Sequence, residues 1–203
     1  MNIYINAKVI FPDKIRECNV IADNGKILDI CDRFEIKNGD TVIDCCGNYL
    51  SPGFIDGHVH GGGNKSAMSE DYNDIIAMAE AHLKYGTTSI VPTTLAAPIN
   101  QLKKAVLSIK EASEKSENAN ILGVHLEGPY LNLKYKGAQS PENILNPKEN
   151  PPEELLEAWD KILIMGAAPE VEGCLELGDK LKARGIVPSV AHSAASFSEV
   201  EEA

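Results

Sequence analysis

Leu50-Ser51-Pro52-Gly53-Phe54-Ile55-Asp56-Gly57-His58-Val59-His60-Gly61-Gly62-Gly63 is the stretch on which the fold turns. Phe54, Ile55 and Val59 supply the β-branched and aromatic character of a buried strand. Side chains alternate along a strand, so Asp56, His58 and His60 are expected on one face. Two imidazoles one residue apart on that face can converge on one cation. The glycines that follow leave open backbone for a ligand to approach. A pair of satisfied core histidines is the plain alternative. An Asp on the same face and a strand end before a glycine run favour metal binding.

The segment before this stretch looks all-β. Ile3 to Phe11 is one strand, and Thr41-Val42-Ile43-Asp44 another. Asn24-Gly25 between Val20-Ile21 and Ile27-Leu28 is a hairpin signal. Residues 1–50 therefore form a small β unit, too slight for a full core of its own.

After His60 the rhythm changes to strand and helix in alternation. A helix is expected from Asp71 to Tyr85, stopped by Gly86. Thr88 to Val91 is a short strand, and Ile99, Leu102, Val106 and Ile109 mark the next helix. Ile121 to Leu126 is a strand, followed by a long Pro- and Asn-rich loop from Gly128 to Pro152. A helix near Glu153 leads to the strand Ile162 to Met165, and a helix from Val171 to Arg184 leads to the strand Ile186 to Ala191. Ser196-Phe197-Ser198-Glu199 is a capping box. Such alternation gives βαβ units and a parallel sheet. No GxGxxG follows the first strand, which disfavours a dinucleotide fold. A (β/α)8 barrel takes about 250 residues. Residues 51–203 are thus expected to be an incomplete barrel, with five βα units.

Composition bounds the function. The chain has 203 residues, 43% hydrophobic, with a formal charge of −11. That balance argues against a nucleic-acid partner, which wants a basic face. No apolar run is long enough to span a membrane, and the start lacks a signal-peptide pattern. The five cysteines have no zinc-finger spacing and read as reduced thiols of a cytoplasmic protein.

Active sites of parallel α/β folds lie at the carboxyl ends of the strands. His58 and His60 end the first strand, His125-Leu126-Glu127-Gly128-Pro129 the third, and His192-Ser193 the fifth. Three strands thus send groups suited to zinc, iron or manganese to one rim. His125 and Glu127 share a face, so parity leaves open which of them binds. Asp56 could orient a ligand imidazole from behind. His82 is taken as packing. Ser193 has no visible base and is not read as a nucleophile.

These residues also carry a resemblance. Pro52 to Gly61 is similar to the first-strand signature of the amidohydrolase superfamily. His125-Leu126-Glu127-Gly128-Pro129-Tyr130, Lys136-Gly137-Ala138-Gln139, Ala168-Pro169-Glu170 and Ala191-His192-Ser193 resemble the N-acetylglucosamine-6-phosphate deacetylase family. The resemblance covers the whole chain as an amino-terminal portion. It implies a metal-dependent hydrolase with a TIM barrel and a small β-sandwich-like unit, composite with later segments. It implies removal of acetyl from a phosphorylated amino sugar, N-acetylglucosamine 6-phosphate, leaving glucosamine 6-phosphate. Glu127 and His192 match the main metal ligands, and His58 and His60 a pair that holds a second ion in some members. Zinc or iron, one ion or two, is implied. Ala138 and Gln139 match positions that touch the sugar. The family's catalytic Asp is expected beyond Ala203, so the fragment itself is expected to be inactive. The full-length protein is expected to be a homodimer. Two other readings stand beside this one. An amidohydrolase of cyclic amides, related to dihydroorotase or hydantoinase, would want a bridging lysine where Glu127 sits. A non-catalytic metal-binding fragment is the third.

Overall fold

A computed structural model describes all 203 residues. They divide into two compact units, Met1–Pro52 and Gly53–Ala203.

The first unit is one five-stranded sheet. Its strands are β1 (Asn2–Ile10), β2 (Ile15–Asp23), β3 (Lys26–Cys31), β4 (Thr41–Asp44) and β5 (Tyr49–Leu50). β1 is central, antiparallel to β2 and parallel to β4 and β5. Asn24 and Gly25 both take positive φ, 48° and 73°, which is what a two-residue hairpin turn between right-twisted strands demands. Ala7, Val9, Cys18 and Val20 form its small buried cluster. A sandwich needs two sheets, and these five strands make one. The expected sandwich was composite with later segments, and these residues supply one sheet of it at most.

The second unit opens with β6 (Phe54–Val59) and a short hairpin of β7 (Gly61–Gly62) and β8 (Lys65–Ser66). Then come α1 (Tyr72–Leu83), β9 (Thr87–Thr94), α2 (Ile99–Lys115), β10 (Asn120–Ile121) and β11 (Val124–Glu127). The chain ends with α3 (Glu153–Leu156), β12 (Ile162–Ala167), α4 (Cys174–Ala183), β13 (Val187–Val190) and α5 (Phe197–Glu202). Asp71 caps α1 by accepting from the Asn73 N–H at 2.9 Å. Ser196 and Glu199 form the reciprocal capping box of α5. The loop after β11 contains two short 3₁₀ turns, Leu133–Tyr135 and Pro141–Asn143.

All strand pairs in the main sheet of this unit are parallel. Its order is β6, β9, the interrupted strand β10/β11, β12 and β13. Spatial order follows chain order with no reversal. A doubly wound sheet would show a switch point; this one winds in a single direction. Ile75, Met78, Leu102, Val106, Ile109, Leu177 and Leu181 of the helices pack with Ile90, Leu126 and Met165 of the strands as one core. No helix is long and apolar enough to cross a membrane.

Two local expectations need correction. β6 is an edge strand, and Phe54 and Ile55 are 69% and 70% exposed rather than buried. β9 does not stop at Val91 but continues through Pro92 to Thr94. Proline cannot donate to a sheet ladder. The register of β6 against β9 slips between Asp56 and Val59, and Val59 lies opposite Pro92. The Val59 N–H donates to the Thr93 hydroxyl at 3.0 Å.

Candidate metal centre

That slip sets up the site. Strict alternation fails at a register irregularity, so the residues around it do not share one face by parity alone. The Asp56 carboxylate accepts from the backbone N–H of His58 at 3.1 Å, not from an imidazole. The expectation that it orients a ligand ring is corrected accordingly. With Val59 held by the Thr93 side chain, the Thr93 carbonyl lies 3.0 Å from His60 Nδ1. His58 and His60 do converge, with their Nε2 atoms 3.2 Å apart.

Glu127 is the last residue of β11 and is buried. One oxygen, Oε1, lies 3.4 Å from His58 Nε2 and 3.3 Å from His192 Nε2. The other, Oε2, lies 3.3 Å from His60 Nε2. The ligating atoms of His58, His60 and Glu127 all fall within 4.8 Å of one another. His192 reaches the group from just beyond β13. The three strand ends named from the sequence therefore meet at one rim.

The proton positions follow from the partners. A carbonyl oxygen only accepts, so the His60 Nδ1 beside Thr93 carries a proton, which leaves Nε2 as the nitrogen that can offer a lone pair to a metal ion. The same holds for His192, whose Nδ1 lies 3.0 Å from the Tyr135 carbonyl. Carboxylate oxygens also present lone pairs only. Neutral rings would thus aim lone pairs at lone pairs, which is repulsive without a cation among them. A divalent metal ion fits that donor set of imidazoles and one carboxylate.

His125 is not part of this group. Its Nδ1 lies 3.2 Å from the Gly57 carbonyl, and its ring stands edge-on to His58 with centroids 4.8 Å apart. Burial holds its pKa below the ordinary value, outweighing the bond to Gly57, so the ring is neutral. Parity had left His125 and Glu127 equivalent; tertiary contacts separate them. His82 is more than packing, since its Nε2 lies 3.1 Å from the Gly61 carbonyl and ties α1 to the glycine hairpin.

A profile described as the amidohydrolase family matches residues 49–172, more than half of the chain. The chain belongs to the amidohydrolase family. It is similar to the N-acetylglucosamine-6-phosphate deacetylase of Haemophilus influenzae, 36% identical over 189 residues that cover 91% of this chain and 48% of that protein. The human protein of the same name is 31% identical over 208 residues, covering 98% of this chain and 51% of its own length. Among solved structures, the deacetylase from Pasteurella multocida superposes with a TM-score of 0.87 at 28% identity, over 99% of this chain and 54% of that one. The one from Thermotoga maritima gives 0.79 at 31% identity, over 98% and 51%. The chain spans about half the length of the curated relatives it matches.

In this amidohydrolase the cluster is braced by groups that carry no local sequence signal. Gln139 is buried; its Nε2 donates to Glu127 Oε2 at 2.9 Å and its Oε1 accepts from the Ala96 N–H at 2.9 Å. Each end of the side chain thus makes one hydrogen bond within the protein. Ala138 beside it is exposed. Glu170 accepts from the Ser193 hydroxyl, the Ala194 N–H and the Asn132 amide. Burial alone would push its carboxyl up, but these donors outweigh it and hold the pKa below the usual carboxylate value. The Ser193 proton is spent on that bond. Glu170 was visible only as part of Ala168-Pro169-Glu170, a strand-end segment of the kind that faces this rim.

Proposed function

We propose that the protein containing this chain is a metal-dependent deacetylase that converts N-acetylglucosamine 6-phosphate to glucosamine 6-phosphate and acetate. The observation that carries the reading is the Glu127 carboxylate met by three imidazole Nε2 atoms at 3.3–3.4 Å. In this reading His58, His60, Glu127 and His192 hold one or two divalent ions, zinc or iron. When bound, such an ion supplies Lewis-acid activation of water and of the amide carbonyl. The chain's own residues fix the geometry. Thr93 and Tyr135 set the tautomers of His60 and His192, and Gln139 orients Glu127. Ala138, exposed beside the cluster, is kept as a contact to the sugar. The five βα units form the front part of an eight-stranded barrel, as their unreversed order favours.

The relatives named above support this substrate. The cyclic-amide alternative wants a bridging lysine. Lys136, on the neighbouring loop, instead donates to the carbonyls of Gly137 and Gln139, and the bridging position is filled by Glu127. The test is acetate release by the full-length, zinc-loaded protein. It should turn over N-acetylglucosamine 6-phosphate well ahead of the unphosphorylated sugar, because a phosphomonoester adds charge-assisted hydrogen bonds. Equal turnover of the two, or preference for a cyclic amide, would overturn the assignment.

A further inference from the structure

We infer that Glu170 is a positioning residue that clamps His192 in place against Glu127, by tying the segment after β13 to the loop after β11. The inference rests on the reading of His192 as a metal ligand.

His192 needs such a clamp. Its φ is 47°, in the left-handed region that non-glycine residues avoid. A residue there stays only if its surroundings hold it. Two restraints act on His192 itself. The Asn132 N–H donates to its carbonyl at 3.0 Å, and its Nδ1 lies 3.0 Å from the Tyr135 carbonyl. Both come from a single turn, closed by the Tyr135 N–H on the Asn132 carbonyl at 3.0 Å. Glu170 then locks this turn to the residues following His192. Oε1 accepts from Asn132 Nδ2 at 2.8 Å and from the Ala194 N–H at 2.6 Å. Oε2 accepts from Ser193 Oγ at 2.6 Å. One carboxylate thus holds both sides of the turn that grips the imidazole. Fit is close, since a Cβ at Gly137 would sit 3.2 Å from His192 Cε1. Bonds of this kind to a carboxylate are short and strong. Without them the turn is no longer tied to the segment after His192, and its hold on the ring beside Glu127 Oε1 loosens.

The experiment uses the full-length protein and the variants Glu170→Ala, Glu170→Gln, Ser193→Ala and His192→Ala. Zinc affinity is measured by competition with a chromophoric chelator. The visible spectrum of the cobalt(II)-loaded protein reports the ligand set. Circular dichroism and thermal melting of the metal-free protein report folding. Glu170→Ala should bind zinc about 10–100-fold more weakly, as loss of a ligand-orienting partner generally does, and should alter the cobalt spectrum. Glu170→Gln keeps one acceptor oxygen and should recover part of both. Should Glu170→Ala not fold, Ser193→Ala, which removes a single donor, should show a smaller loss in the same direction. Wild-type affinity and spectrum with only a lower melting temperature, in whichever of the two variants folds, would reduce Glu170 to a loop brace and overturn the inference. If His192→Ala binds zinc like the wild type, the ligand reading falls and the clamp with it. If His192→Ala weakens binding while Glu170→Ala does not, the clamp alone falls.

Discussion

Each oxygen of Glu127 is approached from a different side: Oε1 by His58 and His192, Oε2 by His60 and Gln139. Gln139 meets Oε2 through an amide N–H, which can only donate. It is also the link between this carboxylate and the end of β9, through the Ala96 N–H. Truncating it leaves a buried N–H without an acceptor and a carboxylate without a donor. Gln139→Ala should therefore cost about 1–3 kcal/mol of stability, read from the urea midpoint of the metal-free protein. An unchanged midpoint would mean that Ala96 finds another acceptor and that Gln139 does not brace the site. The histidines of the cluster were legible in the sequence because they stand at strand ends, whereas Glu127 was separated from His125 only by the family resemblance. Gln139 and Glu170 were not legible as braces. Their partners lie 12 to 43 residues away, and no local pattern encodes a contact of that range. Asp56 failed for a related reason. Counting parity assumes an unbroken ladder, and the ladder slips opposite Pro92.

At the level of elements, β9 and β6 show what periodicity can and cannot reveal. The alternation of strands and helices was readable because caps and stops punctuate it: Asp71 opens α1, Gly86 with φ 93° follows it, and Gly185 with φ 74° follows α4. Which apolar strand is central and which lies at an edge is a property of the assembled sheet. Ile90 of β9 is 1% exposed, between two neighbouring strands, whereas Ile55 of β6 is 70% exposed. Both are isoleucines within strands of the same parallel sheet. Ile90→Ala removes buried methylenes and leaves a cavity, and should cost about 2–5 kcal/mol. Ile55→Ala in the same 203-residue chain should stay within about 0.5 kcal/mol. Paired urea titrations decide the matter. Equal losses would show that β6 is buried in solution and that its edge is covered there.

For the molecule as a whole, that edge has a consequence in solution. β6 pairs only with β9, and β13 only with β12, so each leaves one side of its backbone unpaired. The side chains beside these edges are apolar: Phe54 and Ile55 on one strand, and Val187 and Val190, 57% and 47% exposed, on the other. Unpaired apolar edges template pairing with other chains. A net charge of −11 opposes such pairing. The two effects differ in range and in their response to salt. Charge repulsion is screened beyond a Debye length of about 8 Å at physiological ionic strength, while strand pairing and apolar burial act at contact and are little affected by screening. Contact should therefore win once salt is present. The 203-residue chain, examined alone by size-exclusion chromatography with light scattering, should be closest to monomeric at low salt and gain mass as salt is added. Substituting Val187 and Ile55 by lysine, a residue that blunts sheet edges, should reverse the gain. A chain that stays monomeric at every salt concentration would show that the edges are protected and that pairing does not govern its behaviour. Mass that falls as salt rises would instead assign the association to ionic contacts between charged surfaces.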